Sequence, residues 1–161
     1  MPTELLLIRH GESEANVGRS TDVDCLLTDA GIEQARQLGL RLAEHDLRDF
    51  LFLTSPYRRT VHTAAAITEA TGRSFVVDER IREWGEFATI GGKQYPKETT
   101  RELVERLREF LLDHAGRKLV VVSHAAPIAV LTQLANGESP NTLGQFWIGV
   151  ENCCSRRVIC R

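Results

Sequence analysis

The chain alternates short, wholly apolar runs with longer stretches in which apolar residues recur every three or four positions. A continuous apolar run suits a strand buried on both faces, and a period near 3.6 suits an amphipathic helix. Leu5–Ile8, Phe50–Leu53 and Leu119–Val122 are runs of the first kind and are predicted strands. Thr28 is the predicted N-cap of a helix reaching about Glu44, with Ile32, Ala35, Leu38 and Leu42 as its apolar stripe. Ser55-Pro56 reads as an N-cap with proline at the first helical position, opening a helix to about Ala70. Glu98–His114 is amphipathic, with Leu103, Leu107, Phe110 and Leu111 on one side, and another helix is predicted from about Pro127 to Ala135. Ser74–Val77 is predicted as a short strand nearer an edge, and Gln145–Val150 and Cys153–Cys160 as two closing strands. Glu79–Lys97, carrying Gly85, Gly91, Gly92 and Pro96, reads as loop.

Alternating strands and helices point to an α/β fold with a mainly parallel central sheet. At 161 residues, with no repeat, low-complexity tract or linker, a single domain over residues 1–161 is expected. Apolar residues make up 42% and charged residues 26%, enough for an ordinary core. A net charge of −2 argues against a general nucleic-acid binder. Of the 20 cations, 17 are arginine; a GC-rich genome accounts for that, and so does an anion site, where the planar guanidinium grips phosphate in bidentate fashion. Cys25, Cys153, Cys154 and Cys160 form no C-x-x-C pair and are expected as buried, reduced thiols. With no signal-peptide pattern and no membrane-length apolar run, the expected location is the cytoplasm.

Two segments share a layout. Leu5-Leu6-Leu7-Ile8-Arg9-His10-Gly11 and Leu119-Val120-Val121-Val122-Ser123-His124-Ala125 are each a buried strand ending in a histidine and then a small residue. Ligands of open α/β sheets sit beyond the carboxyl ends of the strands, so both histidines fall at the expected binding edge. A lone histidine there is more often structural; two at equivalent ends, one preceded by arginine, shift the balance toward function. Arg58 and Arg59 open the helix after Phe50–Leu53, on the same edge. Cations in a first turn oppose the helix dipole, so this pair either is solvated or faces an anion.

The ordered motifs resemble those of the histidine phosphatase superfamily, the phosphoglycerate-mutase-like proteins. The likeness rests on Arg9-His10-Gly11-Glu12 with Asn16, on Leu27-Thr28-Asp29-Ala30-Gly31-Ile32-Glu33-Gln34-Ala35, and on Ser55-Pro56-Tyr57-Arg58-Arg59-Thr60-Val61-His62-Thr63-Ala64. Ile81-Arg82-Glu83 matches the family's acid segment and Ser123-His124 its second histidine. The resemblance implies a three-layer α/β/α sandwich and a metal-independent phosphatase that works through a phosphohistidine. In that reading His10 is the nucleophile, since a neutral imidazole near its pKa attacks well. Arg9, Arg59 and His124 surround the phosphoryl oxygens, and Asn16 donates to one of them. The family's spacing from the serine selects Arg59 over Arg58, leaving Arg58 for the rest of the substrate. Glu83 protonates the leaving oxygen and then takes a proton from water.

Other readings stay open. Glu12, Glu79 and Glu86 compete with Glu83. His62 lies one turn after Arg59, and His45 and His114 fall near helix C-termini, where a cation is favourable. Arg19 and Arg82 are ordinary solvated arginines unless they touch substrate. A phosphoglycerate-type mutase, a protein-phosphohistidine phosphatase and a non-catalytic phosphate-binding module remain as alternatives. The substrate is accordingly a small phosphate ester or a phosphoprotein. No cofactor and no metal are expected: P-loop, dinucleotide-binding and H-E-x-x-H motifs are absent. The sequence departs from the family at Ala125, where glycine is usual, and across Phe87–Lys93, which bears on specificity. The separation of 41 positions from Glu83 to His124 also leaves out the longer insertions of family mutases.

Overall fold

A computed structural model describes residues 1–85, 88–90, 92–95, 97–140 and 150–160. The strands are β1 (Thr3–Arg9), β2 (Phe50–Thr54), β3 (Val76–Val77), β4 (Ala88–Ile90), β5 (Lys93–Tyr95), β6 (Lys118–Ser123) and β7 (Ser155–Cys160). The helices are α1 (Asp29–Ala43), α2 (Arg58–Thr71), α3 (Thr100–Asp113) and α4 (Ala125–Ala135). The central sheet has the order β3-β2-β6-β1-β7, parallel except for β7, which runs antiparallel to β1.

The three layers follow from alternation along β1, β2 and β6. Leu5, Leu7, Leu53, Leu119 and Val121 pack against Leu103, Leu107 and Phe110 of α3 and Ile128 and Leu131 of α4. Their sheet neighbours Ile8, Phe52, Val120 and Val122 pack on the opposite side against Leu38 and Leu42 of α1 and Ile67 of α2. Successive strand side chains point to opposite faces, so two helical layers cover one sheet. The α/β/α sandwich implied by the resemblance is the fold observed.

Several expected details differ. Ile32 does not belong to the buried stripe of α1; it is 52% exposed. The buried face runs through Gly31, Ala35, Leu38, Gly39 and Leu42 instead. A Cβ on Gly39 would lie 3.0 Å from the carbonyl oxygen of Ala66, so glycine lets α1 lie close against α2. Helix α2 starts at Arg58 rather than Pro56, and its N-cap Tyr57 makes no side-chain capping bond. Helix α4 starts at Ala125, two residues before Pro127. Proline is tolerated there because the first-turn N–H groups have no intrahelical acceptor.

The segment expected as loop carries a 3-10 turn at Glu79–Ile81 and the hairpin β4–β5. Asp78 caps the turn through Arg80 N, and Gly92, at φ 80°, supplies a left-handed position in the two-residue hairpin connection. Of the two closing strands, β7 is present, and Gln145–Val150 lies outside the described residues except for Val150. Glu86 also lies outside them. All four cysteines are free, but only Cys25 and Cys153 are buried; Cys154 is exposed. No helix among the described residues is long and apolar enough to cross a membrane.

Candidate active site

Strands β1 and β6 lie side by side in parallel register, Ile8 opposite Val122 and Arg9 opposite Ser123. His10 and His124 therefore leave the sheet at adjacent points. His10 N donates to Ser123 O at 3.1 Å, and Ser55 N donates to Val122 O at 3.0 Å, extending the ladder just past the strands. The two imidazoles, both buried, meet edge to face with centroids 5.2 Å apart.

Hydrogen bonds define the state of each ring. His10 Nδ1 lies 2.7 Å from Gly11 O, an acceptor, so Nδ1 carries the proton. Arg59 Nε donates to His10 Nε2 at 3.1 Å, which leaves Nε2 with a lone pair. His124 is the mirror case. Its Nδ1 accepts from Arg59 Nη2 at 3.1 Å, and its Nε2 donates to Ser55 Oγ at 2.7 Å. Burial first, then the Arg59 charge, pushes His10 down to about 3. The same two causes push His124 well below the usual histidine value. Both rings are neutral near pH 7.

Ser55 Oγ thus serves His124 as well as accepting from Tyr57 N at 3.4 Å, while α2 itself begins at Arg58, later than the sequence predicts. Neither Ser55 nor Thr63 was singled out from the sequence as a site residue. Thr63 Oγ1 accepts from Gly11 N at 3.0 Å and donates to Arg59 O at 2.8 Å, tying the turn after His10 to α2. The signal for Thr63 was present: it stands one helical turn after Arg59. Asn152 was also missed, and its Nδ2 donates to His10 O at 2.8 Å across the sheet edge.

The arginines separate cleanly. Arg59 is 8% exposed, donates to both histidines and to Val23 O, and lies with its guanidinium carbon 4.6 Å from the Tyr57 ring centroid. Arg9 donates from Nη1 to Val150 O at 2.6 Å, while its buried Nε has no hydrogen-bond partner among the described residues. Burial, partly offset by Glu83, lowers its pKa. Arg58 is not brought to the site. Its backbone N and Nε bond Asp24, and its Nη2 reaches Asp22 at 3.3 Å, so the expected substrate-binding role has no support in its geometry.

Glu83 reaches the same cavity. Its Oε2 lies 4.0 Å from His124 Nδ1, and its Oε1 accepts from Trp84 N at 2.9 Å. Burial raises its pKa, against the pull of the Trp84 bond and the Arg59 and Arg9 charges. Asn16 Oδ1 accepts from Ser13 N, Ser13 Oγ and Asn152 Nδ2, which leaves its own amide N–H groups as donors to the cavity it lines. The competing Glu12 is occupied elsewhere, accepting from Thr28 Oγ1 at 2.7 Å. His62 and His45 are exposed, and His114 caps α3 with Nδ1 2.8 Å from Phe110 O.

Arg9, His10, Asn16, Arg59 and Glu83 line one cavity of about 240 Å³, with His124 behind Arg59. Two cations, a neutral imidazole with an accepting nitrogen and a carboxyl inclined to hold its proton suit a doubly charged phosphate monoester. Among the described residues, no group of three His, Cys, Asp or Glu is arranged to hold a metal ion.

Comparison with known proteins shows the family and the fold. The family model described as the histidine phosphatase superfamily (branch 1) matches residues 5–90. A sequence from Erwinia tasmaniensis named "Probable phosphoglycerate mutase GpmB" is 29% identical over 185 residues, covering 96% of this chain and 84% of its own length. The solved structure of a mycobacterial glucosyl-3-phosphoglycerate phosphatase superposes with a TM-score of 0.70 at 21% identity, covering 96% of this chain and 90% of that one. A phosphoserine phosphatase from Entamoeba histolytica superposes with a TM-score of 0.70 at 20% identity, covering 96% of this chain and 89% of that one.

Proposed function

The chain belongs to the histidine phosphatase superfamily, and from that footing we propose that it is a metal-independent phosphatase acting on phosphomonoesters through a phosphohistidine at His10. The observation that carries this reading is the Arg59 guanidinium, which spans His10 Nε2 and His124 Nδ1 at 3.1 Å each. A guanidinium held against both imidazoles supports a site where phosphoryl oxygens take over those donors. Arg9 Nε, without a partner among the described residues, offers a further donor.

In the first half-reaction, the Nε2 lone pair of His10 forms a bond to phosphorus as the ester P–O bond breaks. The Glu83 carboxyl gives its proton to the departing oxygen. Arg9, Arg59 and the Asn16 amide hold the charge that spreads over the phosphoryl oxygens. In the second half-reaction, water attacks phosphorus, Glu83 takes its proton, the P–N bond breaks and inorganic phosphate leaves. One carboxyl group serves both halves because the second reverses the proton movement of the first. The bond from Gly11 O to Nδ1–H holds His10 in the tautomer that attacks through Nε2. No metal is required, since guanidinium groups carry the charge that a metal would neutralise.

Some relatives carry mutase names, so hydrolysis is the claim to test. Purified protein incubated with a phosphomonoester and quenched in alkali is expected to carry acid-labile phosphate on His10. His10→Ala should abolish both the adduct and phosphate release, and EDTA should change neither. Activity lost in EDTA and restored by a divalent ion overturns the mechanism. A panel of sugar phosphates, phosphoglycerates, nucleotides and phosphoproteins would identify the substrate class. A cytoplasmic location fits four unpaired cysteines.

A further inference from the structure

Glu83 lies in no helix or strand, between the 3-10 turn Glu79–Ile81 and β4, yet the acid must sit within hydrogen-bond reach of a leaving oxygen. Three consecutive carbonyls just before it are each held by a side chain from elsewhere. Arg106 Nη1 donates to Arg80 O, Ser123 Oγ donates to Ile81 O at 2.7 Å, and Arg106 Nη2 donates to Arg82 O at 3.1 Å. Arg106 is buried on α3 and is itself oriented by Glu98, which accepts from Nε at 2.5 Å and from Nη2 at 2.7 Å. Glu98 also accepts from Arg82 Nη2 at 3.4 Å.

We infer that Arg106, oriented by Glu98, is a positioning residue for the reaction, fixing the Arg80–Arg82 peptides so that the Glu83 carboxyl faces the leaving oxygen. The inference rests on Glu83 being the acid proposed above. A bare stability role fits the arrangement less well. The guanidinium directs donors at the two carbonyls that flank Ile81, where Ser123, the neighbour of His124, holds the third. The acid and the second histidine are thereby referred to one rigid frame. Arginine is the residue such a clamp needs: its planar fork serves a carboxylate and two carbonyls together, whereas a lysine ammonium is one point charge on a flexible stem.

The test uses the fact that protonation matters more as the leaving group becomes more basic. kcat/KM is measured for p-nitrophenyl phosphate and phenyl phosphate, and the readout is their ratio. kcat/KM reports the steps through formation of the phosphohistidine, so the later attack of water does not enter. Glu83→Gln is expected to raise the ratio of nitrophenyl to phenyl activity by about 100-fold, the scale of a lost general acid. Arg106→Lys keeps a cation beside Glu98 and so protects the fold; it should raise the ratio by about tenfold, a partial loss on that scale. Adding Arg106→Lys to Glu83→Gln should raise it no further, because the clamp acts only through the acid.

Equal losses on both substrates in Arg106→Lys, or a ratio that multiplies in the double variant, would show a structural role and overturn the inference while leaving Glu83 as the acid. A ratio unchanged by Glu83→Gln would remove Glu83 as the acid, and the inference with it. Thermal melts of each variant verify that the compared proteins are folded.

Discussion

Arg59 Nε lies 3.1 Å from His10 Nε2, so the nitrogen proposed to attack phosphorus sits directly against the cation proposed to bind the phosphoryl oxygens. Arg58, one residue earlier on the same helix, turns instead to Asp22 and Asp24. Residues adjacent in a helix point about 100° apart, so only one of the pair can face the cavity. Arg59→Ala is expected to lower kcat/KM by about two to three orders of magnitude, the scale of a lost transition-state donor. Arg58→Ala should cost less than about tenfold, well short of that scale. Steady-state kinetics of the two variants checks this, and exchanged phenotypes would contradict the assignment.

The pH profile follows from the three shifted groups. His10 is pushed down to about 3 and His124 well below the usual histidine value, while Glu83 is pushed up. Neutral imidazoles and a protonated acid therefore coexist from acidic pH up to the raised pKa of Glu83. After correction for the substrate's own ionisation near pH 6, kcat/KM should show no acid limb at the ordinary histidine value near 6.5. It should fall on the alkaline side as Glu83 ionises. An acid limb near 6.5 that is absent in the substrate's own titration would refute a neutral, buried His10.

Stability should carry the same signature with a definite sign. In the unfolded chain His10 takes up a proton near pH 6.5, whereas in the fold it stays neutral down to about 3. Between those values the unfolded state binds more protons, so stability falls as pH drops through that window. Urea unfolding at a series of pH values should give a shallower fall in His10→Ala than in the parent protein. Identical slopes would contradict the shift.

Gly31 and Gly11 bring the start of α1 against the loop that follows β1. A Cβ on Gly31 would lie 1.9 Å from Glu12 O, and one on Gly11 would lie 2.4 Å from Gly31 O. Gly31→Ala is therefore expected to cost about 1–3 kcal/mol through overpacking against backbone that cannot yield cheaply. Urea unfolding measures it. A loss below about 0.5 kcal/mol, the range of an uncoupled surface change, would mean that the loop shifts freely.

Hydrolase and mutase differ in how long the phosphohistidine is kept from water. A mutase shields it with loops that close over the site, and the 41 positions from Glu83 to His124 are largely occupied by β4, β5, α3 and β6. With 3-phosphoglycerate and a catalytic amount of 2,3-bisphosphoglycerate, phosphate release is expected to exceed isomerisation. Isomerisation faster by tenfold, about 1.4 kcal/mol in barrier, would reverse the assignment.

Much of this was legible along the chain. The apolar runs of β1, β2 and β6 are buried on both faces, which only covered parallel strands require, so composition alone located them. Both histidines follow such runs, and parallel strands bring equivalent ends together. The family's spacing from Ser55 sets Arg59 apart from Arg58. Side chains whose role is to hold other groups were not legible. Ser55 reads as a helix cap because nothing nearby in sequence announces His124, 69 positions on. Arg106 reads as an ordinary helix arginine because the carbonyls it holds lie 24 and 26 positions away. Ile32 is exposed because the buried face of α1 takes in Gly31 and Gly39 beside Ala35, Leu38 and Leu42, and buried glycine is what a hydrophobic pattern does not register. The sequence by itself determined which chemistry-bearing residues stand at the ends of buried strands, because burial and strand direction are local consequences of side-chain polarity. Only the tertiary structure decided which donor meets which acceptor, because a hydrogen bond demands heavy atoms about 3 Å apart in fixed directions, and that geometry exists only once the three layers have packed.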